Sequence, residues 1–509
     1  MAVSSSLVLA GGAAALGLYW YGRKRLEDAR EPPSVGRYPL VGSMRHIHEP
    51  LYLWLYENFG SEPVVRVHFG TQCVYVFNKW SAFKEAMVDN ADQLSGRLSQ
   101  KLTARLFGDV GGIVASDGEV WRDYRRFTLK TLRDFGFGRR GAEEIITVEA
   151  EHLHQTLDEA AGKPVETSVL LSTATSNIIC QLVFGSRLAS EDEKFGEILE
   201  VFRKITHNED SNSTNAMFMT IIPLIENLPF IADLFFKTPA SKAAIDDFLK
   251  LLGYCNEQRD KHIAEMEGVD TARDYIEAHL LYQRDQPEMF NDTRLTMAVS
   301  DLFIAGTDTT ANTLRWAILY MIDNPDVCEK VHEEVAKAIG NDRLPTMQDK
   351  ARLPYTQAVI EEVHRKASLV PMGVFHRVVD EVTLANNGGW KLQPDSICTF
   401  NTYAIHHDPE VFPQPEKFLP ERHLKEDGQF AASPHLSTFG LGKRACLGES
   451  LARMELLVFF VTLVQRYSFS LDPEDSRTMW QLTEDPSFSK GTVLRSPPLH
   501  KIVFKARNI

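Results

Sequence analysis

Residues 291–324 constrain the fold of this chain more than any other segment. Apolar side chains recur there at three- and four-residue spacing and no proline interrupts the run. Asn291 or Asp292 can cap its start and Pro325 stops it, so the segment is expected to be one helix. At 1.5 Å per residue it would run about 50 Å, enough to cross the whole molecule, and the rest of the chain has to pack around it. Its centre breaks the pattern. Ala305, Gly306, Thr307, Asp308, Thr309 and Thr310 put a glycine, an acid and three β-branched hydroxyl residues where a plain core helix would place leucines. A Thr hydroxyl inside a helix can donate to the carbonyl four residues back and open the groove at that turn. Here that pairs Thr309 with Ala305. A polar stripe facing solvent fits poorly, because Leu302, Phe303, Ile304, Ala305 and Ala311 leave little polar face.

Helical patterning dominates elsewhere too, over 148–160, 245–266 and 450–465. Short β-like runs occur at 64–69, 73–77, 381–385 and 501–504, several bounded by Gly or Asn. The expected class is mainly α with small β-sheets. Length alone would allow about three domains. After residue 45, however, no Gly/Ser-rich stretch, charge block or internal repeat could serve as a linker, and one large domain over 46–509 is expected. The 44% hydrophobic and 24% charged content is that of a globular chain with a sizeable core. A net charge of -14 argues against nucleic acid as a partner, because phosphate neutralisation needs a basic surface. The cysteines, Cys73, Cys180, Cys255, Cys328, Cys398 and Cys446, lie far apart with no C-x-x-C pair. That points to a reducing compartment and to neither a zinc site nor a disulfide framework.

The first residues look like a membrane anchor, assigned to 1–25. An apolar run at 7–22 ends in Tyr19, Trp20 and Tyr21 and is followed by Arg23, Lys24 and Arg25, an aromatic belt and a basic stop. A cleaved signal peptide is the competing reading, but no Lys or Arg precedes the run and no small-residue cleavage motif follows it. The absence of arginines ahead of residue 22 also disfavours a mitochondrial transit peptide. The positive-inside rule would leave the basic cluster, and the domain after it, in the cytosol. Pro32, Pro33, Gly36 and Pro39 then give a stiff hinge over 26–45.

The strongest chemical signal is Phe439, Gly440, Leu441, Gly442, Lys443, Arg444, Ala445, Cys446, Leu447, Gly448, just before a helix. A lone cysteine is ordinarily an inert core residue. Its neighbours change that. Gly440 and Gly442 permit backbone turns that aim amides at a sulfur, and Gly448 lets a helix start press against a flat macrocycle. A thiolate there would gain from amide hydrogen bonds and the positive end of the helix dipole, and Arg444 could neutralise a carboxylate of that macrocycle.

This segment resembles the haem-binding loop of the cytochrome P450 family, Phe-x-x-Gly-x-Arg-x-Cys-x-Gly, and other motifs of that family follow in its order from about Pro32 to the C-terminus. The resemblance implies a single haem-binding domain of the P450 fold, with Cys446 as axial ligand of the haem iron and Phe439 and Arg444 beside the cofactor. It makes the 305–310 groove the oxygen site, with Asp308 and Thr309 relaying protons. It implies further propionate contacts from Trp121 and Arg125, a Trp-x-x-x-Arg pair, and from Arg97 and His376, positions common in the animal microsomal group. Glu362 and Arg365, at i and i+3, would ordinarily be a surface pair worth a few tenths of a kcal/mol. In the family they are buried and joined by a later arginine, here Arg422. That is support for the fold and not catalysis. The family often has an aromatic where this chain has His423.

The implied function is a haem-thiolate monooxygenase that inserts one atom of O2 into a small lipophilic substrate. Steroid, fatty acid, terpenoid hormone and xenobiotic all remain open. With no reductase domain and no nucleotide-binding glycine motif in the chain, electrons would come from NADPH through a separate NADPH-cytochrome P450 reductase, with cytochrome b5 as a second donor. The expected location is the endoplasmic reticulum membrane, in contact with its lipid. The segment 217–236 could be a membrane-touching lid, or two ordinary amphipathic helices. Two rivals share the motif: a haem-thiolate isomerase or dehydratase, and a non-catalytic haem-based sensor or lipid carrier. The intact Asp308 and Thr309 pair favours oxygen activation over both.

Charge adds a feature that depends least on resemblance. Between Trp121 and Arg140 seven basic residues (Arg122, Arg125, Arg126, Lys130, Arg133, Arg139, Arg140) face two acidic ones, Asp123 and Asp134, inside an acidic chain. Such a run is either a solvated helix face or a dock for an acidic electron donor.

Overall fold

The computed structural model of the protein describes residues 31–36, 42, 43, 46, 48, 50–69, 72–97, 111–136, 140–187, 193–207, 239–489 and 494–507. The expected anchor at 1–25 and the segment 217–236 lie outside them. Helix α1 (Leu51–Phe59) leads into a hairpin of β1 (Val64–Phe69) and β2 (Gln72–Phe77), and the short helix α2 (Trp80–Lys84) follows. The helical body comprises α3 (Gly118–Asp134), α4 (Arg140–Ala160), α5 (Thr167–Phe184), α6 (Glu193–His207), α7 (Pro239–Glu265), α8 (Tyr275–Asp285), α9 (Asp292–Asp323), α10 (Pro325–Ala338) and α11 (Pro354–Ala367), with β3 (Pro164–Glu166) between α4 and α5. Strands β4 (His376–Arg377), β5 (Val382–Leu384), β6 (Trp390–Leu392) and β7 (Ile397–Phe400) precede α12 (Thr402–His406). The chain closes through α13 (Glu449–Arg466), β8 (Tyr467–Leu471), α14 (Met479–Thr483) and β9 (Lys501–Ala506). The architecture is mainly α with small sheets, as expected.

The rod at 292–323 organises the core. Asn291 is the residue that caps it, its side chain accepting from Arg294 N at 3.0 Å, and Asn324 ends it where Pro325 starts α10. Leu295, Val299, Phe303, Leu314, Trp316, Ile318 and Leu319 are buried on its flanks. At about 1.5–3 kcal/mol for each large apolar side chain, that burial outweighs the roughly 1 kcal/mol that a helix loses at a glycine such as Gly306.

Helix α5 packs along α9. It is long and apolar enough to cross a membrane by composition, but 72% of it is buried inside the protein, so it is a core helix. Their contact is close because a Cβ at Gly306 would overlap the Ile179 side chain.

The sheets tie distant parts of the chain together. In the four-stranded sheet β1-β2-β7-β4, β2 runs antiparallel to β1 and parallel to β7, with Val74 opposite Ile397. Part of the expected hinge is docked on this sheet. Val35 N donates to Arg66 O at 2.9 Å, Arg66 N donates to Pro33 O at 2.7 Å, and Val35 is buried.

Helix α11 carries the buried ion pair. Glu362 and Arg365 are both fully buried, joined at 2.9 and 2.8 Å. Arg365 also donates to His406 O, Pro415 O and Lys417 O, and Glu362 accepts from Leu419 N at 2.8 Å. The later partner is shared between two residues. Arg422 Nε lies 3.4 Å from Glu362 without hydrogen-bond geometry, while His423 Nε2, fully buried, sits 3.1 Å from the other carboxylate oxygen. The histidine at the usually aromatic position thus completes the carboxylate's shell. A fully hydrogen-bonded set suits a buried pair, since removal of one member of such a pair costs about 3–5 kcal/mol.

Candidate functional site

The loop from Phe439 to Gly448 is built as its glycines require. Gly440 and Gly442 have φ of +71° and +73°, a region that residues with a side chain rarely adopt. Gly442 also presses so closely on the Met87 carbonyl that a Cβ there would overlap it. Cys446 N donates to Phe439 O at 2.8 Å and closes the loop. The Phe439 ring is held edge-on to His364, with centroids 5.4 Å apart, and under the Arg453 guanidinium at 4.8 Å. Gly448 occupies the N-cap position of α13 with an ordinary φ of -88°.

The amides of Gly448 and Glu449, at the start of α13, favour the thiolate form of Cys446. Burial nonetheless raises the thiol above its ordinary value, and those amides and Arg125 only partly offset it. The same side chain has exposed surface, whereas Cys180, Cys255, Cys328 and Cys398 are buried. Cys446 is thus surrounded by protein yet keeps accessible surface. On α9, Ala305 is exposed and Thr309 half-exposed in the middle of an otherwise buried rod. The loop and the central helix thus share the features of a cofactor cavity.

The cations expected around that cavity come together. Arg444 stacks on the Trp121 ring at 3.7 Å and donates to Ser95 O at 2.9 Å and Ser116 O at 2.8 Å. Arg125 donates to Ala445 O at 2.6 Å. Arg97 donates to Val114 O at 3.1 Å and Phe375 O at 2.8 Å, and His376 Nδ1 lies 2.7 Å from Leu94 O. Asp117, at the start of α3, is the nearby counter-charge, 3.6 Å from Arg444 and 2.7 Å from Arg377. Burial first, and the neighbouring guanidiniums second, push Arg444 down to about 9. Arg97 falls to about 10, chiefly through burial. Burial and then Arg97 push His376 down to about 3, so the imidazole is neutral. Nη1 of Arg444 is buried without a partner. Clustered cations with an unused donor need an anion, and the two carboxylates of a haem answer that need. The residues present fit the group.

On α9, Thr309 Oγ1 donates to Ala305 O at 2.7 Å, the pairing expected from sequence. Thr307 does the same to Phe303 O at 2.8 Å. Asp308 is buried and accepts from Ser172 Oγ at 3.1 Å.

Sequence reasoning missed Asp117, Ser172 and Asp301. Asp301, one turn before Ala305, accepts from Ile113 N at 2.6 Å and Val114 N at 2.9 Å. It straps to the central helix the 111–117 segment that supplies carbonyls to Arg97 and Arg444. Its signal was an acid within the apolar run Val299, Leu302, Phe303.

The chain matches the family model for cytochrome P450 over residues 32–502. It is 34% identical over 488 residues to human cytochrome P450 2C8, covering 95% of each chain. To chicken cytochrome P450 2H1 it is 34% identical over 462 residues, covering 89% of this chain and 90% of that one. To human cytochrome P450 2U1 it is 33% identical over 503 residues, covering 93% and 89%. The chain belongs to the cytochrome P450 family. It is accordingly a monooxygenase with a haem bound through a cysteine thiolate, using O2, a small-molecule substrate and a redox partner.

Burial pushes the Asp301 carboxyl up from 3.8 to about 6, which generates a prediction. The folded chain binds that proton more tightly than the unfolded one. The buried charge therefore opposes folding increasingly as pH rises from 3.8 through about 6. Asp301→Asn can keep both amide bonds, since one oxygen, Oδ2, accepts them. The variant should gain stability relative to the parent chain across that interval and hold the gain above it, measured by chemical denaturation at a series of pH values. Parallel stability profiles would contradict this.

Proposed function

We propose that Cys446 is the axial ligand of the haem iron, that Arg97, Arg125, Arg444 and His376 receive its propionates beside Trp121 and Phe439, and that Asp308 and Thr309 deliver protons. The observation that carries this reading is that Cys446 keeps exposed surface at a loop whose neighbouring Arg444 has a buried Nη1 with no hydrogen-bond partner. Haem bound there supplies the redox centre, at which thiolate donation favours O–O cleavage. The protein's own part is positional. Gly448 and Glu449 amides orient the sulfur, Arg444 and Arg125 hold negative charge, and the Asp301 strap keeps the 111–117 segment in place. The Thr309 hydroxyl, donating to Ala305 O, presents its acceptor lone pairs at the open turn of α9.

The substrate is a small lipophilic molecule. Val114 and Val374, on the two segments that Arg97 ties together, are 44% and 51% exposed, and Ala305 is exposed on α9. These are apolar surfaces. Electrons come from NADPH through NADPH-cytochrome P450 reductase, with cytochrome b5 as a second donor. The dock is the outer face of α3. Arg122, Arg126, Lys130 and Arg133 are exposed there, while Arg125 on the same helix reaches the residue next to Cys446. Part of the charge is internally satisfied, since Arg126 pairs with Asp123, Lys130 bonds Tyr282 and Lys443 pairs with Asp92. Arg139 and the Arg140 side chain lie outside the described residues.

Residues 1–25 anchor the protein in the endoplasmic reticulum membrane, in contact with its lipid, and 26–45 connect the anchor to the catalytic domain, 46–509, in the cytosol. The composition of 7–25 and the relatives' resemblance along nearly the whole chain support this arrangement. Within that connection Pro33 and Val35 are hydrogen-bonded to Arg66 of β1.

Thr309→Ala should retain haem and substrate binding but divert reducing equivalents into peroxide, read as a fall in product formed per NADPH consumed. An unchanged ratio would remove Thr309 from proton delivery. Arg133→Glu should slow reduction by the reductase at low ionic strength, with the difference vanishing as salt rises and haem content unaltered. Reduction at the parent rate, with the parent salt dependence, would leave α3 a solvated face only.

A further inference from the structure

Helix α5 meets the open turn of α9 through one face, with Ser172, Thr175 and Ile179 spaced three and four residues apart. Ile179 lies against Gly306, and Thr175 Oγ1 donates to Thr307 O at 2.7 Å. Both Ile179 and Thr175 are buried, and both contacts hold the helices together. The third contact differs in kind. Ser172 Oγ donates to the Asp308 carboxylate at 3.1 Å. Asp308 is buried, but Ser172 is only half-buried, as is Thr173 next to it, and Val169, one turn earlier on α5, is 56% exposed. The pair therefore joins an acid inside the molecule to a hydroxyl near its surface.

A hydroxyl donates and accepts at once, so it can pass a proton through where a methyl group cannot. A buried carboxylate needs such a route, because its charge cannot be renewed through apolar packing. Arg315, buried beside Asp308, keeps a fixed positive charge near it but has no proton to give at working pH.

We infer that Ser172 is the positioning residue through which Asp308 is reprotonated from solvent. The inference rests on the reading of Asp308 and Thr309 as the proton relay. A proton from solvent adds to Ser172 Oγ as the hydroxyl proton moves to Asp308 Oδ1. When Asp308 hands its proton toward Thr309, it is again a carboxylate and the serine hydroxyl turns back to it. Two passages match the two protons consumed when RH, O2, two electrons and two protons become ROH and water, the electrons being those of the enzyme's redox partner.

The test compares Ser172→Ala, Ser172→Thr and Asp308→Asn in the haem-loaded, full-length protein. One readout is product formed per NADPH consumed, with its solvent isotope effect. A second, independent of turnover, is the infrared carboxylate band of the resting protein that disappears in Asp308→Asn. Ser172→Ala should shift that band, lower the ratio by about five-fold, the size that one lost hydrogen bond supports, and enlarge the isotope effect. Ser172→Thr, which keeps the hydroxyl, should restore all three. If Asp308→Asn lowers the ratio while Ser172→Ala leaves ratio and isotope effect at parental values, the Ser172 inference is overturned and the relay stands. A shifted band with unaltered coupling overturns it equally, because the bond would then be structural only. If Asp308→Asn itself leaves the ratio unchanged, the underlying relay reading falls instead.

Discussion

The loop that ends at Cys446 depends on one desolvated sulfur. A thiol sealed inside protein resists ionisation, and Cys446 is held above its ordinary value even with two amides and Arg125 drawing on it. The ligand loop therefore depends on what surrounds it for both its shape and its charge. Gly440 and Gly442 permit the turn, Met87 leaves no room for a side chain at 442, and Phe439 is clamped between His364 and Arg453. The electrostatic half comes from guanidiniums that depress one another and leave a donor unused. Such a cluster is unstable alone and makes sense around an anion.

Rigidity reaches the loop from behind. The Glu362 and Arg365 pair anchors His406, Pro415, Lys417 and Leu419, and α11, which carries it, also places His364 against Phe439. On the opposite side the α5 and α9 contacts fix the turn at Ala305 to Thr309, and the Asp301 strap fixes the segment that feeds carbonyls to Arg97 and Arg444. A site with charge on one side and a hydroxyl groove on the other needs both to be held by rigid elements.

The parts legible in the sequence were those with local causes. The cap, length and stop of α9, the Thr309 bond to Ala305 and the glycine turns around Cys446 each depend on neighbours within a few residues. The class of fold followed from helical periodicity. Helix α5 escaped because it is buried on nearly all sides, so its sequence carries no polar face to set a period. Ser172 and Asp301 escaped because their partners lie 136 to 188 positions away, beyond any spacing argument. His423 shows the limit of resemblance in the other direction. The departure from an aromatic left its role open, and only the buried Glu362 oxygen beside it gives the histidine a reason.

The measurement that bears most directly on this account is the absorption spectrum of the reduced protein under carbon monoxide, for the parent chain and for Cys446→Ala. A cysteine thiolate on the iron gives the red-shifted band, and the account requires that band in the parent and its loss in the variant, with the remaining five cysteines unable to replace it. A Cys446→Ala protein that kept the thiolate band would place the ligand elsewhere and contradict the account.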